Sequence, residues 1–171
     1  MSTHSHLDPS EEIEDPHKFI AHFFQLIDDG NDSGLLQLLE DIKFHKDTSA
    51  TGKLDKLTLS DNEFVQHHHK KGYSEDIDWG AVPSPRELGK YLMPDISGQK
   101  LTGLMVAAKG GYAEVVKVIL QQCEPDVSKV GTVIIENHTI EGASALWCAA
   151  GAGHPRVVEL LVEAGADVNQ T

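Results

Sequence analysis

Cysteine and positive charge are both scarce in this 171-residue chain. Two cysteines, Cys123 and Cys148, cannot build a disulfide framework or a four-ligand zinc set. Lys and Arg total 14 against 27 Asp and Glu, a formal net charge of −13. That balance argues against a nucleic-acid or anionic-membrane surface, because both depend on clustered cations. It suits a basic partner, or simply an ordinary soluble surface. No apolar run approaches the roughly 18 residues of a membrane span. The start, Met1-Ser2-Thr3-His4-Ser5-His6, has neither the basic end nor the apolar stretch of a secretory signal. A reducing, intracellular setting, cytoplasmic or nuclear, is therefore expected. What the chain does have is 40% hydrophobic residues with two Trp and three Tyr, too much for wholesale disorder.

Charge divides the chain near Gly98, with a net −10 over 1–97 and −3 over 98–171. The second part repeats itself. Thr102-Gly103-Leu104-Met105-Val106-Ala107-Ala108 matches Ser144-Ala145-Leu146-Trp147-Cys148-Ala149-Ala150, and Gly111-Tyr112 matches Gly153-His154. Glu114-Val115-Val116-Lys117-Val118-Ile119-Leu120 matches Arg156-Val157-Val158-Glu159-Leu160-Leu161-Val162, and Gly165-Ala166-Asp167-Val168-Asn169 closes the second copy. A hydroxyl opens each first helix, where it can accept from free N–H groups. Paired alanines let neighbouring helices approach, and Gly111 and Gly153 fit a turn that needs positive φ. Pro155 suits the first turn of a second helix. Val115, Val118 and Ile119, like Val157, Leu160 and Leu161, form an i, i+3, i+4 core stripe. Gly165 is placed for a left-handed cap. Helix, tight turn, helix and loop is the ankyrin pattern. The fold class expected is all-α, an ankyrin-repeat helical solenoid.

The period is longer than that pattern requires. Ala107 to Ala149 spans 42 residues, against about 33 for an ankyrin unit. The surplus falls between Cys123 and Gly142, where Val130, Val133, Ile134, Ile135 and Ile140 favour an extended finger or hairpin.

The run Ile140-Glu141-Gly142-Ala143-Ser144-Ala145-Leu146-Trp147-Cys148-Ala149-Ala150-Gly151-Ala152-Gly153-His154, preceded by Gly131-Thr132-Val133, resembles a unit of the feminization-1 (fem) homologue family. The resemblance covers about Leu101 to Thr171. It implies a substrate receptor of a cullin-RING ubiquitin ligase whose groove captures the C-terminal end of a target, typically one ending in arginine. By motif, the family's finger positions fall on Ile135, Glu136, Asn137 and His138, with Glu136 as the acidic finger residue. The family's pocket tryptophan falls on Trp147, with Cys148 beside it. Ile135 stands where the family has an aromatic residue, and Asn137 where it has glycine. The ligase-docking element of the family lies far beyond the first repeats, so the chain reads as an N-terminal fragment, and cullin binding is expected only through segments downstream of it.

The first part is read against the same template. Residues 1–14 form a disordered tail. Asp15-Pro16 opens a helix carrying Phe19, Ile20, Phe23, Phe24 and Ile27, and Asp29-Gly30-Asn31-Asp32-Ser33 makes a turn. Leu35, Leu36, Leu38, Leu39 and Ile42 make a second helix ending before Lys46. This pair, 15–45, is a degenerate first ankyrin-like unit. Residues 46–97 form a polar insertion, with Lys46 to Val82 a long loop or disordered and a short helix near 85–92 opened by Ser84-Pro85-Arg86-Glu87. Two repeats, about 101–130 and 142–171, follow. The N-terminal half is thus expected to be partly disordered.

Four further features invite chemistry and do not support it. His67-His68-His69 lacks the fixed spacing of a metal site. Cys148 has no base placed beside it. Gly151-Ala152-Gly153-His154 follows a helix rather than a strand, so it cradles no phosphate. Asn31-Asp32-Ser33, Asn137-His138-Thr139 and Asn169-Gln170-Thr171 match glycosylation sequons that an intracellular chain would not use. No catalytic residue, metal or cofactor is expected. The expected function is protein–protein interaction, through Ile135, Glu136, His138, Trp147 and Cys148 if the fem resemblance governs, or a generic ankyrin scaffold without a ligase role. Glu136 also reads as a solvated finger charge, and Trp147 as inter-repeat packing.

Overall fold

A computed structural model describes residues 16–50, 82–93 and 97–170. Its elements are α1 (Pro16–Asp28), α2 (Asp32–Ala50), α3 (Pro85–Leu88), α4 (Gly103–Gly110), α5 (Ala113–Gln122), β1 (Val130–Ile135), β2 (His138–Ser144), α6 (Ala145–Gly151) and α7 (Pro155–Glu163). The tail expected over 1–14 and most of the loop expected over Lys46–Val82 lie outside the described residues.

The helices form two layers. α1 packs on α4 and α4 on α6, while α2 packs on α5 and α5 on α7. Each pair, α1–α2, α4–α5 and α6–α7, also closes on itself. This is the helical repeat read from the sequence, with a two-stranded antiparallel sheet, β1–β2, that an all-α description omits. That amendment has a simple cause: β-branched residues crowd a helix and suit a pleated strand.

Small residues set the spacing between pairs. Ala107 and Ala108 are fully buried on α4. A Cβ on Gly103 would stand 2.8 Å from Ile27 Cδ1 and 3.1 Å from the Phe23 ring. Thr102 and Ser144 cap α4 and α6, their hydroxyls accepting from the Met105 amide at 3.4 Å and the Trp147 amide at 3.1 Å. The turns stack too. The Tyr112 ring covers Gly30 of the preceding turn, and the His154 ring covers Gly111. His154 Nε2–H donates to the Lys109 carbonyl at 3.2 Å, tying the third turn to the second.

The core follows the stripes with small departures. Phe19, Phe23, Phe24 and Ile27 are buried on α1, and Leu35, Leu38, Leu39 and Ile42 on α2. On α5 it is Val116 rather than Val118 that joins Val115 and Ile119 in full burial, because α5 is covered by both α2 and α7. α2 continues past Lys46 to Ala50, beyond the end expected for it. α3 closes at Leu88, shorter than the 85–92 reading, because the chain then turns back and Leu92 pairs with Thr102. Ser84 and Glu87 make the expected reciprocal cap, with Glu87 Oε2 accepting from the Ser84 amide at 2.6 Å. These bonds hold the Glu87 carboxyl below its ordinary pKa.

Val82 and Leu88 are buried, so the end of the stretch read as insertion belongs to the core. The Met93 amide donates to the Leu101 carbonyl at 2.7 Å, closing a loop beside the β1–β2 hairpin. The two are joined by a reciprocal pair of backbone bonds, Lys100 to Thr132 at 2.9 Å and Thr132 to Lys100 at 3.1 Å. Gly131 permits this, since a Cβ there would meet the Lys100 carbonyl oxygen at 2.0 Å. Gly131→Ala should push the hairpin away from the 93–101 loop. The expected loss is about 2 kcal/mol, from two backbone hydrogen bonds and local overpacking. Urea unfolding measures it, and an unchanged midpoint would show that the junction carries no stability.

Candidate functional site

The β1–β2 hairpin is built to project. Val133 opposes Ile140, Ile134 opposes Thr139 and Ile135 opposes His138, leaving Glu136-Asn137 as a two-residue turn. Both turn residues are left-handed, with φ of +49° and +67°. Two positive φ values match the right-handed twist of the strands they join. Asparagine tolerates this conformation, whereas glutamate adopts it rarely and at a cost. The Glu136 side chain is exposed and forms no ion pair among the described residues. His138 Nδ1–H donates to the Glu136 carbonyl at 3.1 Å, which fixes the turn. Ile135, 40% exposed, completes the tip.

At the other end of β2, Ser144 starts α6 and sets Trp147 half-buried on its first turn. The indole lies over Gly151, within 4 Å of where a Cβ would stand. Cys148 points the other way, into the core. Burial pushes its thiol up to about 11, an effect that the nearby Lys109 charge only partly offsets. Cys123 is buried more deeply and pushed up to about 12, again by desolvation. Neither sulfur is an available thiolate at neutral pH. Six strand residues, 138–143, separate the hairpin tip from Ser144, on the order of 20 Å of extended chain. Glu136 and Trp147 therefore mark two ends of a surface rather than one contact.

A cavity of about 350 Å³ opens beside the turn between α4 and α5, against the end of α1. Met93, Leu101 and Val106 supply its apolar wall, with Asp28, Gln99, Lys109, Gly110 and Tyr112 around it. Gln99 links this cavity to the hairpin. Its Oε1 accepts from the Ile134 amide at 3.3 Å and from Lys109 Nζ at 3.5 Å. Lys109 forms no ion pair with Asp28 among the described residues. Sequence reasoning missed Gln99, Lys109 and Tyr112. A signal was present: Lys109 and Gly151 hold the same place in their repeats, one position before Gly110 and Ala152, away from the core stripe.

The paired helices, the capped repeat starts and the stacked turns agree with what comparison with known proteins finds. The family description "Ankyrin repeats (3 copies)" matches residues 81–171. The chain belongs to the ankyrin-repeat family. That match begins inside the stretch read as an insertion, where Val82 and Leu88 enter the core. Within the family, a fem-1 homologue of Drosophila melanogaster is 38% identical over 85 residues, half of this chain and 12% of the relative. The sex-determining protein fem-1 of Caenorhabditis elegans is 46% identical over 68 residues, 39% of this chain and 10% of the relative. Fem-1 homologue C of Xenopus laevis is 44% identical over 70 residues, 41% of this chain and 11% of the relative. The homologues are fem-1 family proteins, as the run Ile140–His154 implied, and the chain spans about a tenth of their length. Among the described residues no helix is long and apolar enough to cross a membrane.

The thiols give this ankyrin-repeat protein a test of burial. An unfolded thiol titrates near 9.0, so both folded values are raised. Stability from the neutral thiols is fully present below that pH and is lost as pH rises through about 11 to 12. At pH 8, alkylation of Cys123 and Cys148 should be at least about tenfold slower in the native chain than in denaturant. Equal rates would show that the helix pairs open freely.

Proposed function

We propose that the chain is the substrate-recognition part of a cullin-RING ubiquitin ligase receptor, holding the C-terminal end of a target protein in its concave surface. The observation that carries this reading is Glu136. An exposed carboxylate without an ion-pair partner among the described residues stands at a projecting tip, in a left-handed conformation that glutamate adopts at a cost. Backbone strain of this kind collects at functional positions, where it is retained against stability. Asparagine or glycine would relax the turn, but neither would present a negative charge there.

In this reading the nine residues beyond an ordinary repeat form a recognition finger, and its tip meets a cationic terminal side chain. Trp147, at the other end of the hairpin, offers an aromatic face to a more distant part of the same peptide. Ile135 and His138 flank the charge, and buried Cys148 supports Trp147 from below. Residues 15–45 act as a degenerate first unit and 98–171 as two repeats, with 46–97 inserted between them. The cullin is engaged by parts of the protein outside residues 1–171, in the cytoplasm or nucleus. The fem-1 homologues and the ankyrin repeats support a binding role, and nothing in the arrangement of the described residues calls for catalysis.

Peptides ending in Arg or in Ala, titrated against the chain, test the reading. A partly buried charged hydrogen bond contributes about 1.5–3 kcal/mol. Glu136→Gln should therefore weaken Arg-ended binding by about tenfold or more and leave Ala-ended binding unchanged. Equal affinity of the parent chain for both peptides would instead favour a general ankyrin scaffold.

A further inference from the structure

We infer that the ends of α2, α3 and α5 form a basic docking surface whose occupant is the acidic segment 8–15 of the same chain. The inference is independent of the peptide reading above, because none of its residues lies on the hairpin, on α6 or in the cavity.

Four cations gather where α2 packs against α3 and α5. Lys43 Nζ donates to Gln122 Oε1 at 2.6 Å, from α2 to the end of α5. Arg86 on α3 forms an ion pair with Glu124, just beyond α5. Lys46 follows Lys43 by one turn of α2, and Lys90 follows Arg86 just past α3. Lys43, Arg86 and Lys90 are exposed, and Lys46 is half-buried. Their fields overlap. Glu87 is held down first by its bonds to Ser84 and then by the charges of Lys46 and Lys90. Glu124 is held down by Arg86 and then by Lys43. The exposed carboxylates beside the four cations, Glu40, Glu87 and Glu124, leave the group net positive. In a chain of net charge −13 with 14 Lys and Arg in all, four of them on one surface make a local attractor for anions.

The sequence supplies the complement. Asp8, Glu11, Glu12, Glu14 and Asp15 are five acids within eight positions, and no Lys or Arg precedes Lys18. Where this segment joins the fold decides the match. α1 begins at Pro16 and folds back on α2 through the short turn after Asp28. Its 13 residues rise about 20 Å, which brings Pro16 level with Phe44, between Lys43 and Lys46 along α2. Eight extended residues reach about 27 Å, several times the single turn that separates Lys46 from Lys43 or Lys90 from Arg86. Exposed ion pairs are individually weak. Covalent attachment makes this contact intramolecular, at an effective concentration of about millimolar, so several weak pairs suffice together. An acidic segment of another protein has no such advantage, and the docked segment closes the surface to it.

The test treats the full chain with a water-soluble carbodiimide, which joins a carboxylate directly to a lysine amine, and maps the monomeric product by mass spectrometry. Links from Asp8, Glu11, Glu12, Glu14 or Asp15 should fall on Lys43, Lys46 or Lys90 at least about tenfold more often than on Lys109, Lys117 or Lys129. They should weaken at least about fivefold between about 20 mM and about 500 mM salt. A fluorescent peptide of residues 1–15, followed by anisotropy, gives a second readout. It should bind a full-length variant carrying Asp8→Asn, Glu11→Gln, Glu12→Gln and Glu14→Gln at least about tenfold more tightly than the parent, whose own segment holds the site. Adding Lys43→Glu and Lys46→Glu to that variant, with its fold checked by circular dichroism, should abolish the binding, whereas Lys43→Arg and Lys46→Arg should keep it. Links spread evenly over the lysines, or a peptide that fails to bind the variant, would overturn the assignment. Equal binding to parent and variant would also overturn it, and would mark the surface as open to an acidic partner. Arg-ended peptides at the hairpin are read by a different assay, so the two readings fail separately.

Discussion

Ala107 and Ala108 are fully buried on α4, Gly103 lies against Phe23 and Ile27, and Ala149 is fully buried on α6. This run of small side chains lets three helices lie side by side at close range, and the rest of the structure depends on that spacing. At close range the turns also meet, so Tyr112 reaches Gly30 and His154 reaches Gly111. The outer helices follow, because α2, α5 and α7 are tied to their partners by short turns. Larger side chains at these positions would splay the layers, and dense interiors accommodate added volume poorly.

Spacing at the helices is transmitted to the other edge of the solenoid. Thr102 and Ser144 cap helices whose starts are the ends of extended segments, so the helix positions dictate where those segments stand. The reciprocal Lys100–Thr132 bonds then join neighbouring extended segments into one continuous backbone surface. Gly131 is the concession this requires, a residue without a side chain where two backbones nearly touch. Gln99 adds a side-chain tie across the same junction. A projecting tip on a rigid base is the outcome, and rigid bases with variable tips are how repeat arrays present binding surfaces.

Function on such a surface is a matter of charge placement. The protein is strongly acidic, so a single lysine within the cavity stands out electrostatically from its surroundings. The proposed function puts a cationic group of the ligand at the hairpin tip. Lys109 and Glu136 are both exposed, so each charge is open to a ligand at the surface.

Much of the fold was legible because repeats write the same physics twice. Thr102 and Ser144, Gly111 and Gly153, and the valine–leucine stripes each announce a local structure that propensity and periodicity determine. The β-branched surplus around Val133–Ile135 announced a strand for the same reason, and the similarity to fem-1 homologues was written in Trp147-Cys148-Ala149-Ala150. The limits of α2 and α3 were not legible, since Leu92 turns back only because Thr102 is there to pair with it. The candidate site was half legible. Ile135, Glu136, His138, Trp147 and Cys148 follow from motif, but Gln99 and Lys109 carry no motif at all. Their significance arises when one amide oxygen meets a lysine ten residues along and a backbone amide 35 residues along. Local sequence determines which segments become helix, turn and strand, because those choices depend on near neighbours. Only tertiary packing decides which distant charges share a cavity, because that depends on how closely the repeats stack.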